Sequence, residues 1–332
     1  MLKGLNLLQN DGMRVLITGT TGLIGPAITK VLHAKGIPVN YLTTSRDKLV
    51  STEEFQGFYW NPSQGEIDLE CFRDVQAVIN LAGANIGKPW TPMQRKKILR
   101  SRIDSLATLK KGLGQVGASQ VECLVSASAI GIYPDSHSKF YEEDEKEISG
   151  GFLGEVIQQW EAAADSFGSL GVAVAKLRIG MVLSRQGGAL PKMALSTKNF
   201  MGAPFGKGDQ WQSWIHIGDL AHMFVFLVEN NLEGVYNAVA PNPVTNSKMT
   251  KELARVLDRP LWLPRIPKFV LKMILGQMSQ LLLESQRVGS KKIENHGFGF
   301  QYPNICRALE NLYQMELGTD PLKKETSPQG FV

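Results

Sequence analysis

The segment Thr18-Gly19-Thr20-Thr21-Gly22-Leu23-Ile24-Gly25 constrains this 332-residue chain more than any other stretch. It follows the apolar, β-branched run RVLIT at 14–18, which reads as a buried strand. It opens a stretch of helical spacing over 23–35, in which Ile24, Ile28, Val31 and Leu32 share one face until Gly36 stops it. Strand, glycine turn and helix, followed by a second strand at 39–43, make a βαβ unit of Rossmann type. Gly19 permits the tight turn, Gly22 lets the backbone approach a diphosphate, and Gly25 lets the helix lie close to the strand. The free amides at the helix start face the diphosphate, which the helix dipole favours. Gly19, Thr20, Thr21, Gly22, Leu23, Ile24 and Gly25 are therefore expected to hold a dinucleotide.

The end of the second strand bears on which dinucleotide. A site for NAD has an acidic residue there to accept hydrogen bonds from the adenosine ribose. Here the chain reads Thr44-Ser45-Arg46, with no carboxylate before Asp47. A hydroxyl and a guanidinium suit a 2′-phosphate, which arginine binds through a planar, charge-assisted fork. Ser45 and Arg46 favour NADP over NAD; a solvent-facing arginine is the bland alternative.

Beyond this unit, strands alternate with helices up to residue 185. Further strands are read at 75–82, 122–126 and 172–183. Helices are read from the N-cap Thr91 towards Gly112 and over 152–167. That alternation implies a doubly wound α/β fold with a parallel sheet covered on both faces. We expect a dinucleotide-binding domain over 13–185, receiving a further strand from about 213–240. A smaller C-terminal substrate lobe is expected to occupy most of 186–313, with an extension at 1–12 and a tail at 314–332. Trp90, Trp211 and Trp214 stand either in a pocket wall or in the core.

Composition excludes several classes. The net charge of +5 comes from scattered residues, so no nucleic-acid partner is expected. Three distant cysteines (Cys71, Cys123, Cys306) argue against a disulfide framework and fit a reducing compartment. The five histidines show no ligand spacing, so no metal is expected. With no signal peptide and no apolar run of membrane-spanning length, the expectation is a cytoplasmic protein without a membrane partner.

Other segments carry a resemblance. They are Asn80-Leu81-Ala82-Gly83, Ser101-Arg102-Ile103, Ser126-Ala127-Ser128-Ala129-Ile130-Gly131 and Trp160-Glu161-Ala162-Ala163-Ala164. To these add Ser213-Trp214-Ile215-His216, Asn237 to Pro243, Leu282 to Val288, and Gly297-Phe298-Gly299-Phe300. With the three spaced glycines, the chain resembles the extended short-chain dehydrogenase/reductase superfamily. Within it, the chain is similar to the epimerase family branch of atypical NADP-binding relatives of sugar-nucleotide epimerases, from about residue 13 to 313. The resemblance implies cofactor contacts at Ser45, Arg46, Leu81, Ala82, Gly83, Arg102 and Val182, and leaves a homodimer open.

In the superfamily, a serine acts with a tyrosine and a lysine four residues beyond it. The lysine lowers the tyrosine pKa so that the phenol exchanges a proton with the substrate. The matching serine is Ser128, at the carboxyl end of a parallel strand, where ligands bind in such sheets. The helix that should carry the pair reads Phe152-Leu153-Gly154-Glu155-Val156-Ile157, without tyrosine or lysine. Tyr133 is the nearby phenol that remains as a catalytic candidate. Two readings follow: an NADP-dependent oxidoreductase or epimerase acting on a small-molecule carbonyl or sugar-nucleotide-like substrate, or a non-catalytic NADP(H) sensor that has lost the pair. His216 is expected to satisfy a buried hydrogen bond, and Asp219 to cap or charge the helix that follows it.

Overall fold

In the computed structural model, which describes residues 13–313, the buried strand β1 (Arg14–Thr18) turns through the glycine segment into α1 (Gly25–Ala34) and returns as β2 (Val39–Thr43). The extension and tail expected at 1–12 and 314–332 lie outside the described residues. Next come β3 (Phe55–Asn61), β4 (Glu66–Ile67), β5 (Val75–Asn80), α2 (Pro92–Val116), β6 (Cys123–Ala129), β7 (Phe140–Tyr141), α3 (Phe152–Asp165) and β8 (Ala173–Ile179). The C-terminal half continues with β9 (Met181–Leu183), α4 (Leu190–Lys198), β10 (Trp211–Gln212), β11 (Trp214–His216), α5 (Ile217–Glu229), β12 (Gly234–Ala238) and β13 (Val244–Thr245). It ends in α6 (Asn246–Val256), α7 (Lys268–Leu275), α8 (Gln280–Leu283), β14 (Arg287–Val288), α9 (Lys291–Asn295) and α10 (Ile305–Tyr313).

The main sheet has the order β12-β8-β6-β5-β1-β2-β3-β4, parallel throughout except for the antiparallel β3–β4 pair. The chain winds outwards from β1 through β2 and β3, then starts again at β5 on the other side. The crevice between β1 and β5 is thus the switch point of a doubly wound α/β sheet, where such folds bind ligands. The buried runs of β1 and β2 pack with Ile28 and Leu32 of α1 in one large core. Leu183, Leu190, Trp214, Met249, Leu253 and Leu309 belong to a separate cluster built by the C-terminal elements.

Two details differ from the sequence pattern, and one alternative it left open is resolved. The strand expected over 172–183 is cut at Gly180, where the missing Cβ leaves room for the Ser213 carbonyl oxygen, 2.5 Å from where a Cβ would be; β8 stays in the main sheet and β9 leaves it to pair with β11. Residues 55–67, for which no strand is predicted, form the edge pair β3–β4. Gly57 lies under Tyr41, where a Cβ would fall 2.5 Å from the ring, and Tyr41 stacks on Phe55 at 4.3 Å. Packing against β2, not alternation, makes this segment a strand. Trp214 is core: it is fully buried, with its indole N–H donated to the Asn242 carbonyl at 3.1 Å.

Candidate functional site

Gly19 has φ +74°, a conformation that favours glycine, and its carbonyl accepts the Gly22 N–H at 2.9 Å to close the turn. A Cβ on Gly25 would fall 2.5 Å from Thr20 Cα and 2.7 Å from its carbonyl oxygen, so only glycine allows α1 to start this close to the turn. Ile24, the residue before α1, provides no side-chain cap, and the Thr20 hydroxyl is buried without a hydrogen-bond partner among the described residues. A buried hydroxyl and an uncapped helix start both point to an anionic group.

The opposite wall is pinned to this loop by Thr18. Its hydroxyl accepts the Leu81 and Ala82 N–H groups at 3.0 and 3.1 Å and donates to Asn80 Oδ1 at 2.8 Å. A Cβ on Gly19 would meet the Leu81 backbone at 3.1 Å. Leu81 and Ala82 therefore stand beside the glycine turn, their backbone amides already satisfied. Leu23 reaches the loop after β9, 3.1 Å from where a Gly187 Cβ would be, and Val182 on β9 lies half-buried beside that loop.

Two cations, one past β2 and one beside Gly83, have no carboxylate partner among the described residues. Arg46, just past β2, lies exposed with its guanidinium 4.0 Å above the Tyr59 ring, a contact that orients the side chain without neutralising it. Among the described residues, neither it nor the Ser45 hydroxyl makes a further hydrogen bond or ion pair. Arg102 on α2 lies over Trp160 at 4.8 Å and donates to the Ile98 carbonyl at 2.9 Å. A Cβ on Gly83 would meet the Arg102 guanidinium at 3.1 Å. Burial pushes the Arg102 pKa down to about 10, so the group stays cationic at neutral pH.

Behind the crevice, polar side chains cross the strands in two rows. Thr18, Asn80 and Ser126 are register neighbours on β1, β5 and β6, linked by Asn80 Nδ2 donating to Ser126 Oγ at 3.2 Å. Two residues further along, on the same face, Ser128, Arg178 and Asn237 are neighbours on β6, β8 and β12. Glu161 of α3 joins the second row: Ser128 Oγ donates to it at 2.6 Å, and Arg178 grips both its oxygens at 2.9 Å. Burial alone would raise the Glu161 carboxyl; the Arg178 hydrogen bonds and charge, with the Ser128 bond, outweigh it and hold the group below the usual carboxylate range.

Tyr133 lies at the far end of this row, 1 % exposed. Its hydroxyl donates to Asn237 Oδ1 at 2.7 Å and accepts from Arg178 at 3.0 Å. Burial pushes the phenol up to about 12, against the pull of Arg178. Ser128 is 3 % exposed. Sequence reasoning picked out these two residues but assigned no role to Glu161, Arg178 or Asn237. Two cations, Lys176 and Arg178, inside the parallel strand AVAKLRI were the available signal, since such residues are buried only when paired.

At the strand-to-helix junction His216 Nδ1 accepts the Gly218 N–H at 3.0 Å, so histidine is the cap of α5. Asp219 lies in the first turn of α5, where its charge was expected, and its side chain also reaches across to the C-terminal segment, accepting the Gln301 and Tyr302 N–H groups at 2.9 and 3.0 Å.

A glycine turn at the switch point of a largely parallel sheet, flanked by cations that meet no carboxylate among the described residues, defines a Rossmann-like nucleotide-binding protein. Residues 15–152 match the NAD dependent epimerase/dehydratase family, and residues 266–312 match a domain of unknown function, DUF1731. The chain is 37% identical over 300 residues to the epimerase family protein SH2119 of Staphylococcus haemolyticus, covering 90% of this chain and 98% of that one. It is 36% identical over 300 residues, with the same coverage, to the epimerase family protein SA0724 of Staphylococcus aureus. The chain belongs to this epimerase family. Among solved structures it resembles the human epimerase family protein SDR39U1 (isoform 2) with NADPH, at 29% identity and TM-score 0.79, covering 91% of this chain and 99% of that one. It also resembles a nucleoside-diphosphate sugar epimerase from Corynebacterium glutamicum, at 29% identity and TM-score 0.72, covering 91% of this chain and 59% of that one.

Proposed function

We propose that this chain is an NADP-dependent oxidoreductase or epimerase-like protein of the extended short-chain dehydrogenase type, acting in the cytoplasm on a small carbonyl or sugar-nucleotide-like substrate. The observation that carries the cofactor preference is Arg46, an unpaired guanidinium held over Tyr59 beside the end of β2, with Ser45 next to it. The NADPH in the human relative supports the same reading.

In this reading the amides of the Thr20–Gly25 segment other than that of Gly22, which closes the turn, hold the diphosphate with the Thr20 hydroxyl, Arg46 and Ser45 hold the 2′-phosphate, and Leu81, Ala82 and Val182 line the crevice. Arg102 adds positive charge near Gly83. Bound NADP would supply hydride transfer at its nicotinamide. Ser128 already donates its proton to Glu161, so its oxygen is left as an acceptor, and a substrate meeting it must bring a donor such as a hydroxyl. Tyr133, with both its phenol bonds taken and its pKa raised, positions Arg178, and a group other than the superfamily's tyrosine, or water, carries the substrate proton.

A second reading, an NADP(H)-binding sensor without turnover, draws on one observation: Ser128 and Tyr133 are both committed to the buried network and no lysine follows at the superfamily spacing. Titration with NADPH and NADH, then reduced-nicotinamide absorbance against a panel of carbonyl compounds and sugar nucleotides, separates the two. Oxidation of NADPH that falls in Ser128→Ala supports the enzyme. Tight binding without turnover on any panel member favours the sensor, and failure to bind either nucleotide rejects both.

A further inference from the structure

Far along the chain from the glycine turn lies a surface that the cofactor site does not use. On α7, Phe269, Met273 and Ile274 are each more than two-thirds exposed, as is Trp262 in the segment before it. Leu263, Phe200 and Met201 extend the apolar area. The segments form one surface: Gly206 donates to the Ile266 carbonyl at 2.8 Å, Ile266 to the Pro204 carbonyl at 2.9 Å, and the Arg259 guanidinium lies 5.5 Å from the Phe200 ring centroid. Exposed apolar groups on this scale mark interaction sites.

The charges identify the kind of partner. From Arg259 to Leu283 the sequence carries Arg259, Arg265, Lys268 and Lys272 and no aspartate or glutamate. Lys198 and Lys207 flank the neighbouring segment, also without a carboxylate between them. On α7, Lys268 and Lys272 are four residues apart, as are Phe269 and Met273, so a basic row runs beside an apolar row. The other side of the helix is anchored through buried Leu271. Beyond it, Met278 and Leu281 pack against the cluster around Trp90 and Val156, so the exposed row sits on a fixed base.

We infer that this surface docks the protein on a bilayer carrying anionic phospholipid. Aromatic and aliphatic side chains enter the interface, while the lysine and arginine heads stay at the level of the phosphates. A second copy of the chain fits less well, because two-fold pairing would set these cations against one another. That no helix among the described residues is long and apolar enough to cross a membrane bears on spanning, not on surface docking; the inference departs from the expectation of no membrane partner, and the vesicle experiment decides between the two.

The test is flotation of the full chain, with NADPH present, on vesicles of phosphatidylcholine alone and on vesicles enriched in phosphatidylglycerol. Binding is expected only to the anionic vesicles and should weaken with salt. Lys268→Gln/Lys272→Gln should weaken it on the order of 30-fold, about fivefold for each charge at roughly 1 kcal/mol per residue. Phe269→Ser/Met273→Ser should abolish it. Both variants replace exposed side chains and should keep the wild-type melting temperature and NADPH affinity, which separates this result from misfolding. Equal partition to neutral vesicles, no binding to anionic ones, or binding that survives the loss of both lysines would overturn the inference. So would a solution dimer that Phe269→Ser/Met273→Ser splits without any vesicle binding; a partner protein captured in place of lipid has the same meaning.

Discussion

Ser128 on β6 and Arg178 on β8 are register partners, and both end on the same carboxylate, Glu161 of α3. The strand pairing sets the two side chains side by side, and the helix lays its single buried acid across them. Arg178 then continues the connection to Tyr133 and Asn237. Ser128 is thereby built into a closed buried network.

Breaking the network at one end should be costly. Glu161→Ala leaves Arg178 buried and unpaired and should lower stability by about 3–5 kcal/mol, read by urea denaturation. The double variant Glu161→Leu/Arg178→Met should recover most of that loss, because removing both charges removes the desolvation cost with them. A double variant as unstable as the sum of the singles would show that the pair is not coupled.

Arg46→Ala should weaken NADPH binding by about 1.5–3 kcal/mol, the value of a hydrogen bond to a charged group, and leave NADH nearly unchanged. Calorimetry with both nucleotides checks this, and equal losses for the two would remove the 2′-phosphate role.

Two glycines make a paired prediction. In Gly25→Ala the new methyl meets Thr20 backbone at 2.5 Å, so stability should fall by about 1–3 kcal/mol and dinucleotide binding with it. Gly114, inside α2, has open space where a Cβ would go, and Gly114→Ala should stabilise by about 0.5–1 kcal/mol. Thermal melts and an NADPH titration of each variant test both halves.

Glu284, half-buried after α8, has its carboxyl pushed up to about 7 by burial, with the nearby Asp135 charge adding to it. The folded-state value lies above the roughly 4.3 of an unfolded glutamate. The fold therefore binds this proton more tightly than the unfolded chain, and the group's contribution to stability is lost as pH rises from about 4.3 to about 7. Glu284→Gln should raise the melting temperature more at pH 8 than at pH 5. The same gain at both values would mean that the titration is not linked to folding.

The glycine turn, the strand before it and the helix after it were legible in the sequence because their causes are local: β-branched residues in a row, helical spacing, and glycines where no Cβ fits. Thr91 as N-cap of α2 was legible for the same reason, its hydroxyl accepting the Gln94 N–H at 3.2 Å. The absence of a tyrosine–lysine pair in α3 could also be read directly. The edge strands β3 and β4 could not, since Gly57 and Phe55 find their place only against Tyr41 of a neighbouring strand. Nor could the roles of Arg178, Asn237 and Asp219. Arg178 and Glu161 are 17 residues apart, Tyr133 and Asn237 are 104, and Asp219 and Gln301 are 82. The sequence by itself determined where the chain turns and where a dinucleotide fits, because those depend on residues close in the chain. The partner of each buried charge was decided only by tertiary structure, because parallel pairing and helix packing choose which distant side chains share one low-dielectric space.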